Sequence, residues 1–302
     1  MCVDLETRAS LEEILHEAFG AGAPEIQEII PNSMGMTNRS YCLRTDRGAF
    51  MARIPGHGAQ ALIDRDQEAE VYRRIKGLGI CDEPLYINPR KGYKLSHFYE
   101  QVRLADPRRE EDLRAVAQGL YNFHRRRLTV PHHFDLWTQI HKYMHLCQGV
   151  YPGYPDLPEI LEQIKKAYRW TLRVAEEQQL CHLDAVDINW MFTPEGLLLI
   201  DWEYAAMQDP DLDFAMFIIY ANYSREEADH FIDLCFAARP ESLCPPQRRR
   251  KLYAYMALGG FLWTFWCQYK AQLGQRFASY QDGQYAYAQE YLPLLKSDLE
   301  EN

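Results

Sequence analysis

The segment His182-Leu183-Asp184-Ala185-Val186-Asp187-Ile188-Asn189 is followed, twelve residues after Asn189, by Asp201 at the end of the apolar run Leu197-Leu198-Leu199-Ile200. Phosphoryl transfer to an alcohol needs an aspartate that takes the hydroxyl proton and an asparagine five residues on that holds metal. It also needs a second aspartate, behind a strand, that holds magnesium against the phosphates. Asp184, Asn189 and Asp201 satisfy both spacings, with His182 opening the motif. The plain alternative is a hairpin whose turn carboxylates are merely solvated.

If this segment is catalytic, the residues before it should supply a phosphate-covering loop, a cation on a strand and a carboxylate on the next helix. Each has a candidate. Ser33-Met34-Gly35-Met36-Thr37-Asn38 lies between two extended runs and offers Gly35 for close backbone approach and Thr37 and Asn38 as donors to phosphate oxygens. Arg53 ends the run Ala49-Phe50-Met51-Ala52-Arg53; it is permanently charged and binds phosphate through two N–H groups. Glu68 or Glu70 on the following helix could fix its orientation.

A second clue is aromatic. Trp263 and Trp266 are three apart and share a helical face, and Tyr285 and Tyr287 follow. Indole faces attract cations, and an aromatic cage suits a quaternary ammonium that cannot donate a hydrogen bond. Glu203, two residues beyond Asp201, would add an opposite charge. An apolar stripe on a long helix is equally the mark of a core.

These residues need elements to position them. Leu11, Ile14, Leu15, Ala18 and Phe19 form a helical stripe that predicts a first helix over 11–19, capped by Ser10. Extended runs at Ile26–Ile30, Arg39–Thr45 and Gly48–Arg53 predict an antiparallel meander, followed by a helix over Ala59–Leu78 and two further strands at Pro84–Ile87 and Tyr93–Phe98. Beyond about Val102 long helical patterns dominate, at Arg109–Phe123, Leu136–Leu146, Leu157–Glu177, Leu212–Tyr223, Arg225–Ala238, Pro246–Leu273 and Ala286–Leu295. The one β excursion among them is the hairpin Ile188–Phe192 and Leu197–Asp201. The fold class expected is α+β, with a small antiparallel β-sheet lobe over 1–102 and a larger α-rich lobe over 103–302.

Composition agrees with a folded enzyme. The 302 residues are 47% apolar and 25% charged, and 33 basic against 43 acidic side chains leave a formal charge of −10, which lacks the basic footprint of a nucleic-acid partner. No apolar stretch reads as a membrane span. The acidic start, Met1-Cys2-Val3-Asp4, carries no secretion signal, and the eight cysteines show no metal spacing. A cytoplasmic protein with reduced thiols is expected.

The chain resembles the choline/ethanolamine kinases, LicA-type bacterial choline kinases in particular, within the aminoglycoside-phosphotransferase superfamily. Met36-Thr37-Asn38 and Arg53-Ile54-Pro55-Gly56 are similar to its MTN and RIPG elements, and Ile200-Asp201-Trp202-Glu203-Tyr204-Ala205 is similar to its IDWEYA signature. The resemblance implies a bilobal protein-kinase-like fold and a nucleotide-binding first lobe that uses Gly35, Thr37, Asn38 and Arg53, with Glu68 as the partner of Arg53. It implies a catalytic loop of His182, Asp184 and Asn189, magnesium held by Asn189 and Asp201, and ATP as co-substrate. Glu203, Tyr204, Trp263, Trp266 and Tyr287 would receive the substrate ammonium. Leu183 departs from the family, which usually has Asn after the His.

The function expected is ATP- and Mg²⁺-dependent phosphorylation of the hydroxyl of choline or a related amino alcohol. Ethanolamine, an aminoglycoside or a thiamine-like alcohol are alternative acceptors. A catalytically silent ligand-binding protein of the same fold is the alternative of a different class; loss of Asp184, Asn189 or Asp201 would have marked it, and all three are present.

Overall fold

Leu11, Ile14 and Leu15 fall on one helical face and are buried in α1 (Leu5–Phe19). The structure, a computed structural model, describes residues 3–32, 35–240 and 242–300. Ser33 and Met34 of the expected phosphate-covering loop, and Cys2, lie outside them. Helix α1 begins earlier than its stripe predicts because Asp4 caps it, accepting the Thr7 N–H at 2.8 Å. Ser10, the expected cap, instead donates its hydroxyl to the Glu6 carbonyl.

Next come β1 (Ile26–Asn32), β2 (Asn38–Thr45) and β3 (Gly48–Pro55), an antiparallel meander closed by the pairing of Thr45 with Gly48. The helix expected over Ala59–Leu78 is two helices, α2 (Ala59–Leu62) and α3 (Arg65–Ile75). Asp64 divides them: its backbone is extended and its carboxylate accepts the N–H groups of Asp66 and Gln67, which starts a new helix. Strands β4 (Tyr86–Asn88) and β5 (Tyr93–His97) complete a five-stranded sheet of order β1-β2-β3-β5-β4. Its core joins the apolar face of α1 to Leu43, Phe50, Ala52, Ile54 and Leu95. Strand β6 (Arg103–Leu104) follows.

The chain then runs through α4 (Glu110–His124), α5 (Leu136–Leu146), α6 (Leu157–Val174) and β7 (Gln179–Cys181). The hairpin β8 (Trp190–Thr193) and β9 (Gly196–Leu199) comes next, then β10 (Ala206–Gln208), which pairs antiparallel with β7. Helices α7 (Asp211–Tyr220), α8 (Arg225–Ala237), α9 (Pro246–Gln272) and α10 (Ala278–Tyr291) follow.

Two compact units result, Met1–Leu104 with Met191–Tyr204, and Ala105–Trp190 with Ala205–Asn302. The sequence reading assigns 191–204 to the second lobe. Hydrogen bonding assigns it to the first, because Arg103 and Leu104 pair with Phe192 and Met191, and the Leu199 N–H donates to the Ile80 carbonyl at 2.9 Å.

The second unit is built on α9. This helix is buried on nearly every side, as one that is apolar all round must be, and packs against α5, α6, α7 and α10. Helix α10 starts eight residues before the apolar pattern at Ala286. Its first turns look polar yet face inward, where Gln281 and Gln284 donate to the carbonyls of Thr264 and Ile219. Among the described residues no helix is long and apolar enough to cross a membrane, and the seven described cysteines are free thiols.

Gly260 lets α9 and α10 approach, since a Cβ there would stand 2.3 Å from the Gln284 carbonyl oxygen and 2.9 Å from the Tyr287 Cβ. Gly260→Ala should therefore destabilise the chain by about 1–3 kcal/mol, as overpacking does. Urea unfolding checks this; an unchanged midpoint would mean that the helices separate without cost.

Candidate active site

Arg53 sits on β3 between Ala52 and Ile54, all three buried, so its guanidinium is largely withdrawn from water. A buried cation needs fixed counter-charges, and α3 supplies the first. Glu68 lies in the same helical stripe as Val71, Tyr72 and Ile75 and meets the guanidinium fork to fork, Nη1 to Oε1 at 2.5 Å and Nη2 to Oε2 at 2.7 Å. Asp201 and Glu203 approach Nη1 at 3.2 and 3.5 Å. Glu70 instead pairs with Arg73 at the surface, which decides between the two glutamates.

A second arginine, unmarked by the sequence reading, closes the cluster. Arg65 Nη1 donates to Glu68 Oε2 and to Glu203 Oε2, each at 2.9 Å, and its Nη2 donates to Asn38 Oδ1 at 2.7 Å. Asn38 Nδ2 completes the ring by donating to Glu203 Oε2 at 2.6 Å. Its three-residue spacing from Glu68 on a helix was the available signal. Thr37 and Gly35 lead into Asn38, and the chain passes there because Gly56 has no side chain; a Cβ would meet the Thr37 carbonyl oxygen at 2.3 Å.

Charge sets the ionisation of this cluster. Burial alone would lower the pKa of Arg53, but Glu68, Asp201 and Glu203 hold it well above its ordinary value. Burial would likewise raise Glu68, yet Arg53, Arg65 and Lys94 bring it down to about 2. Glu203 is raised to about 7, by burial first and by the charge of Asp201 second, against the pull of Arg65 and Arg53. The sequence reading places Glu203 beside a substrate ammonium. That expectation is corrected, because Glu203 is an internal counter-ion already committed to Asn38 and Arg65.

Oxygens of Glu68, Asp201 and Glu203 lie within 4.8 Å of one another. An all-carboxylate donor set suits a hard divalent cation such as Mg²⁺. With Glu68 and Glu203 held by arginines, Asp201 is the partly exposed member, delivered by a left-handed backbone (φ 65°) just past β9. Tyr204 is buried close by in sequence.

The second unit carries the other constellation. Strand β7 leads into His182, and Leu183 adopts φ 66°, a conformation in which a bulky side chain is strained. Asp213 on α7 holds it there. Its two carboxylate oxygens accept the backbone N–H of His182 at 3.1 Å and of Leu183 at 2.6 Å, and His124 Nε2 donates to Oδ2 at 2.8 Å. Downstream, Asn189 Nδ2 donates to the Asp184 carbonyl at 2.8 Å and to its carboxylate at 3.2 Å, while the Asp184 N–H donates to His182 Nδ1 at 3.2 Å. Asp184, Asn189 and His182 thus form one locked loop, with the Asp184 carboxylate partly exposed. Neither Asp213 nor His124 was singled out from sequence. Aspartates 211 and 213 in the first turn of an otherwise apolar helix, with Asp209 just before it, were the visible sign.

The aromatic residues expected to form one cage are placed differently from one another. Trp263 stands edge to face with Trp266, centroids 5.8 Å apart, and donates its indole N–H to Met216 Sδ at 3.3 Å. Trp266 is a core residue: Lys270 Nζ lies over its ring at 5.5 Å and Phe277 at 5.6 Å. Tyr287 is also core, its hydroxyl within hydrogen-bond distance of the Ile218 and Tyr223 carbonyls. The spacing that predicted them also fits a packed helix pair. Two other rings stand in the field of Asp184. Tyr220 and Tyr280 meet edge to face at 5.7 Å, and burial pushes both phenols up, with the Asp184 charge next for Tyr220 and a lesser contributor for Tyr280. Neither belonged to a legible stripe.

A family model described as the phosphotransferase enzyme family matches residues 28–255, well over half of the chain. The chain belongs to the phosphotransferase enzyme family. This phosphotransferase is 25% identical to Protein LicA of Haemophilus influenzae over 267 residues, covering 84% of this chain and 77% of LicA. The crystal structure of choline kinase LicA from Streptococcus pneumoniae superposes with a TM-score of 0.83 at 22% identity, covering 96% of this chain and 99% of that one. A structure of LicA in complex with AMP gives 0.82 at 22% identity, covering 95% and 98%. The α+β, protein-kinase-like fold class expected from sequence holds, and the expectation of a phosphotransferase holds with it.

Removing the Glu68 charge strands Arg53. Glu68→Gln should cost about 3–5 kcal/mol at pH 7, the usual toll of breaking a buried pair. Because the folded-state pKa of Glu68 is depressed, its contribution is complete above the unfolded value of about 4.5 and fades as pH falls towards about 2. The gap between parent and variant, measured by urea unfolding, should therefore narrow over that window. A constant gap would mean that the carboxylate charge is not what holds Arg53.

Proposed function

We propose that this phosphotransferase moves the terminal phosphoryl group of Mg²⁺-ATP to the hydroxyl of choline or a closely related ammonium alcohol. The observation that carries the nucleotide half is Arg53 Nε, a buried N–H with no hydrogen-bond partner among the described residues. A buried orphan donor is costly, and a phosphate oxygen is the partner a fixed guanidinium fits best. Glu68 holds that guanidinium in one orientation, so it meets the phosphates without rearranging. Thr37 and Asn38 add neutral donors, and Gly35 keeps the backbone low enough to approach.

Asn189 and Asp201 would hold Mg²⁺, which when bound neutralises charge on the phosphates. Asp184 takes the proton from the acceptor hydroxyl as the new O–P bond forms and the bond from the γ-phosphorus to the bridging oxygen breaks, so that ADP departs and Asp184 is left as a neutral acid. The Asn189 amide holds the Asp184 carboxylate in one rotamer, while His182 fixes the loop behind it. Catalysis here is mainly positioning and charge neutralisation.

The acceptor half rests on Trp263 with Tyr220 and Tyr280. Their rings offer π-faces to a cation without requiring hydrogen bonds from it, and the two tyrosines feel the charge of Asp184, which would draw an ammonium alcohol hydroxyl-first. The LicA relatives support this reading: one is described as a choline kinase and another was solved with AMP.

A coupled ADP-release assay with Mg²⁺-ATP against choline, ethanolamine, thiamine and kanamycin tests it. Choline should be preferred, Asp184→Ala should lower kcat by at least about 100-fold with nucleotide binding retained, and Tyr280→Leu or Trp263→Ala should raise the choline KM by about tenfold. Preference for another alcohol with indifferent aromatic variants would overturn the cage, and full turnover in Asp184→Ala would overturn the base.

A further inference from the structure

Beneath α3 lies a buried polar cluster that the reaction does not use. Tyr72 donates its hydroxyl to Asp82 Oδ1 at 3.1 Å and accepts from Lys94 Nζ at 2.8 Å. Lys94 Nζ also donates to Asp82 Oδ2 at 2.7 Å, and Ser96 Oγ to the same oxygen at 3.0 Å. The ammonium lies 4.9 Å from the centre of the Tyr72 ring. All four residues are buried.

Their placement relative to Arg53 and Glu68 is specific. Lys94 on β5 is directly opposite Arg53 on β3, so the two cations share a face of the sheet at neighbouring positions. Left alone they would repel. Glu68 answers Arg53 and Asp82 answers Lys94, and Lys94 is itself among the cations that draw down Glu68. On α3, Tyr72 is one turn beyond Glu68 and on the same face. Helix α3 is therefore joined to adjacent strands at two successive turns, by Glu68 to β3 and by Tyr72 to β5.

Packing alone does not fix this helix. Val71 and Ile75 set its depth, but apolar contact is non-directional and leaves sliding along the sheet and rotation about the axis open. Along one flank α3 borders a cavity of about 390 Å³, whose walls include Ala69, Tyr72, Cys81, Pro84 and Ile87, rather than a filled core. Hydrogen bonds have direction. We infer that Tyr72, Asp82 and Lys94 form a positioning lock that sets the register of α3 on the sheet, and through it the place of Glu68 and of the Arg53 fork. None of the three touches substrate; they are positioning residues, and the inference rests on the reading of Arg53 as the phosphate clamp.

The test is a double-mutant cycle on nucleotide KM, with acceptor KM and thermal midpoint recorded beside it. Tyr72→Phe keeps the ring and removes the hydroxyl, and should raise nucleotide KM by about tenfold while leaving acceptor KM within about twofold. Glu68→Gln should raise nucleotide KM by at least as much, and adding Tyr72→Phe to it should add less than about twofold, because both act through one group. A Tyr72→Phe protein with a lowered thermal midpoint but unchanged KM, or one whose effect multiplies fully with Glu68→Gln, overturns the lock. If Glu68→Gln itself leaves nucleotide KM unchanged, the clamp reading falls and the lock with it. Should Tyr72→Phe fail to fold, Ser96→Ala removes one donor to Asp82 and should raise nucleotide KM by about two- to threefold; no change there overturns the lock as well.

Discussion

The first unit is organised around one buried positive charge. A guanidinium only 4% exposed, as Arg53 is, cannot be tolerated without carboxylates brought to it in fixed positions. Those carboxylates come from separate stretches of chain: Glu68 from α3, and Asp201 and Glu203 from the segment after β9. Arg65 then offsets the excess of acid and ties Asn38, at the start of β2, into the same ring. Folding the sheet against α3 therefore assembles the Arg53–Glu68 part of the cluster, and the segment after β9 completes it. With Glu203 raised to about 7, the three carboxylates and two arginines come close to balancing near neutral pH.

In the second unit the governing constraint is backbone strain rather than charge. Leu183 occupies a left-handed conformation that asparagine adopts more readily than leucine, and the resembling family usually has asparagine there. The carboxylate of Asp213 offsets the strain by taking both the Leu183 and the His182 N–H groups. Leucine also buries its side chain at this position, so the loop exchanges conformational ease for apolar burial. The turn that results aims Asp184 outward while keeping its neighbours inside.

Much of this was legible in the sequence, and the reasons differ by residue. Asp184 and Asn189 stood out by the spacing that phosphoryl transfer asks for, and the structure joins them in one hydrogen-bonded loop; Asp201 stood out by its place behind an apolar strand, and it lies in the carboxylate cluster. Arg53 and Glu68 were readable because a strand cation and a helix anion must face each other. Element types emerged from periodicity, whereas boundaries moved wherever a side chain overrode it, as Asp4, Asp64 and Gln284 do. The aromatic residues divided differently. Trp266 and Tyr287 have the types a cage needs, but tertiary packing filled the space over their rings. Tyr220 and Tyr280 come from separate helices and meet only in three dimensions, so no spacing announces them. Asp213 and His124 are likewise brought together across 89 residues.

The hairpin of β8 and β9 has a consequence for how the protein is made. It belongs to the first unit yet is encoded after the start of the second, so neither unit is a continuous stretch of chain. On a ribosome the sheet of the first unit can form early, with Arg53 already heading inward and only α3 to meet it. Asp201 and Glu203 emerge some 130 residues after Glu68, when much of the second unit is already out of the exit tunnel. The charge cluster around Arg53 is therefore completed late in synthesis, and a nascent chain stopped short of Asp201 would carry the sheet but not the full set of charges that its buried arginine requires.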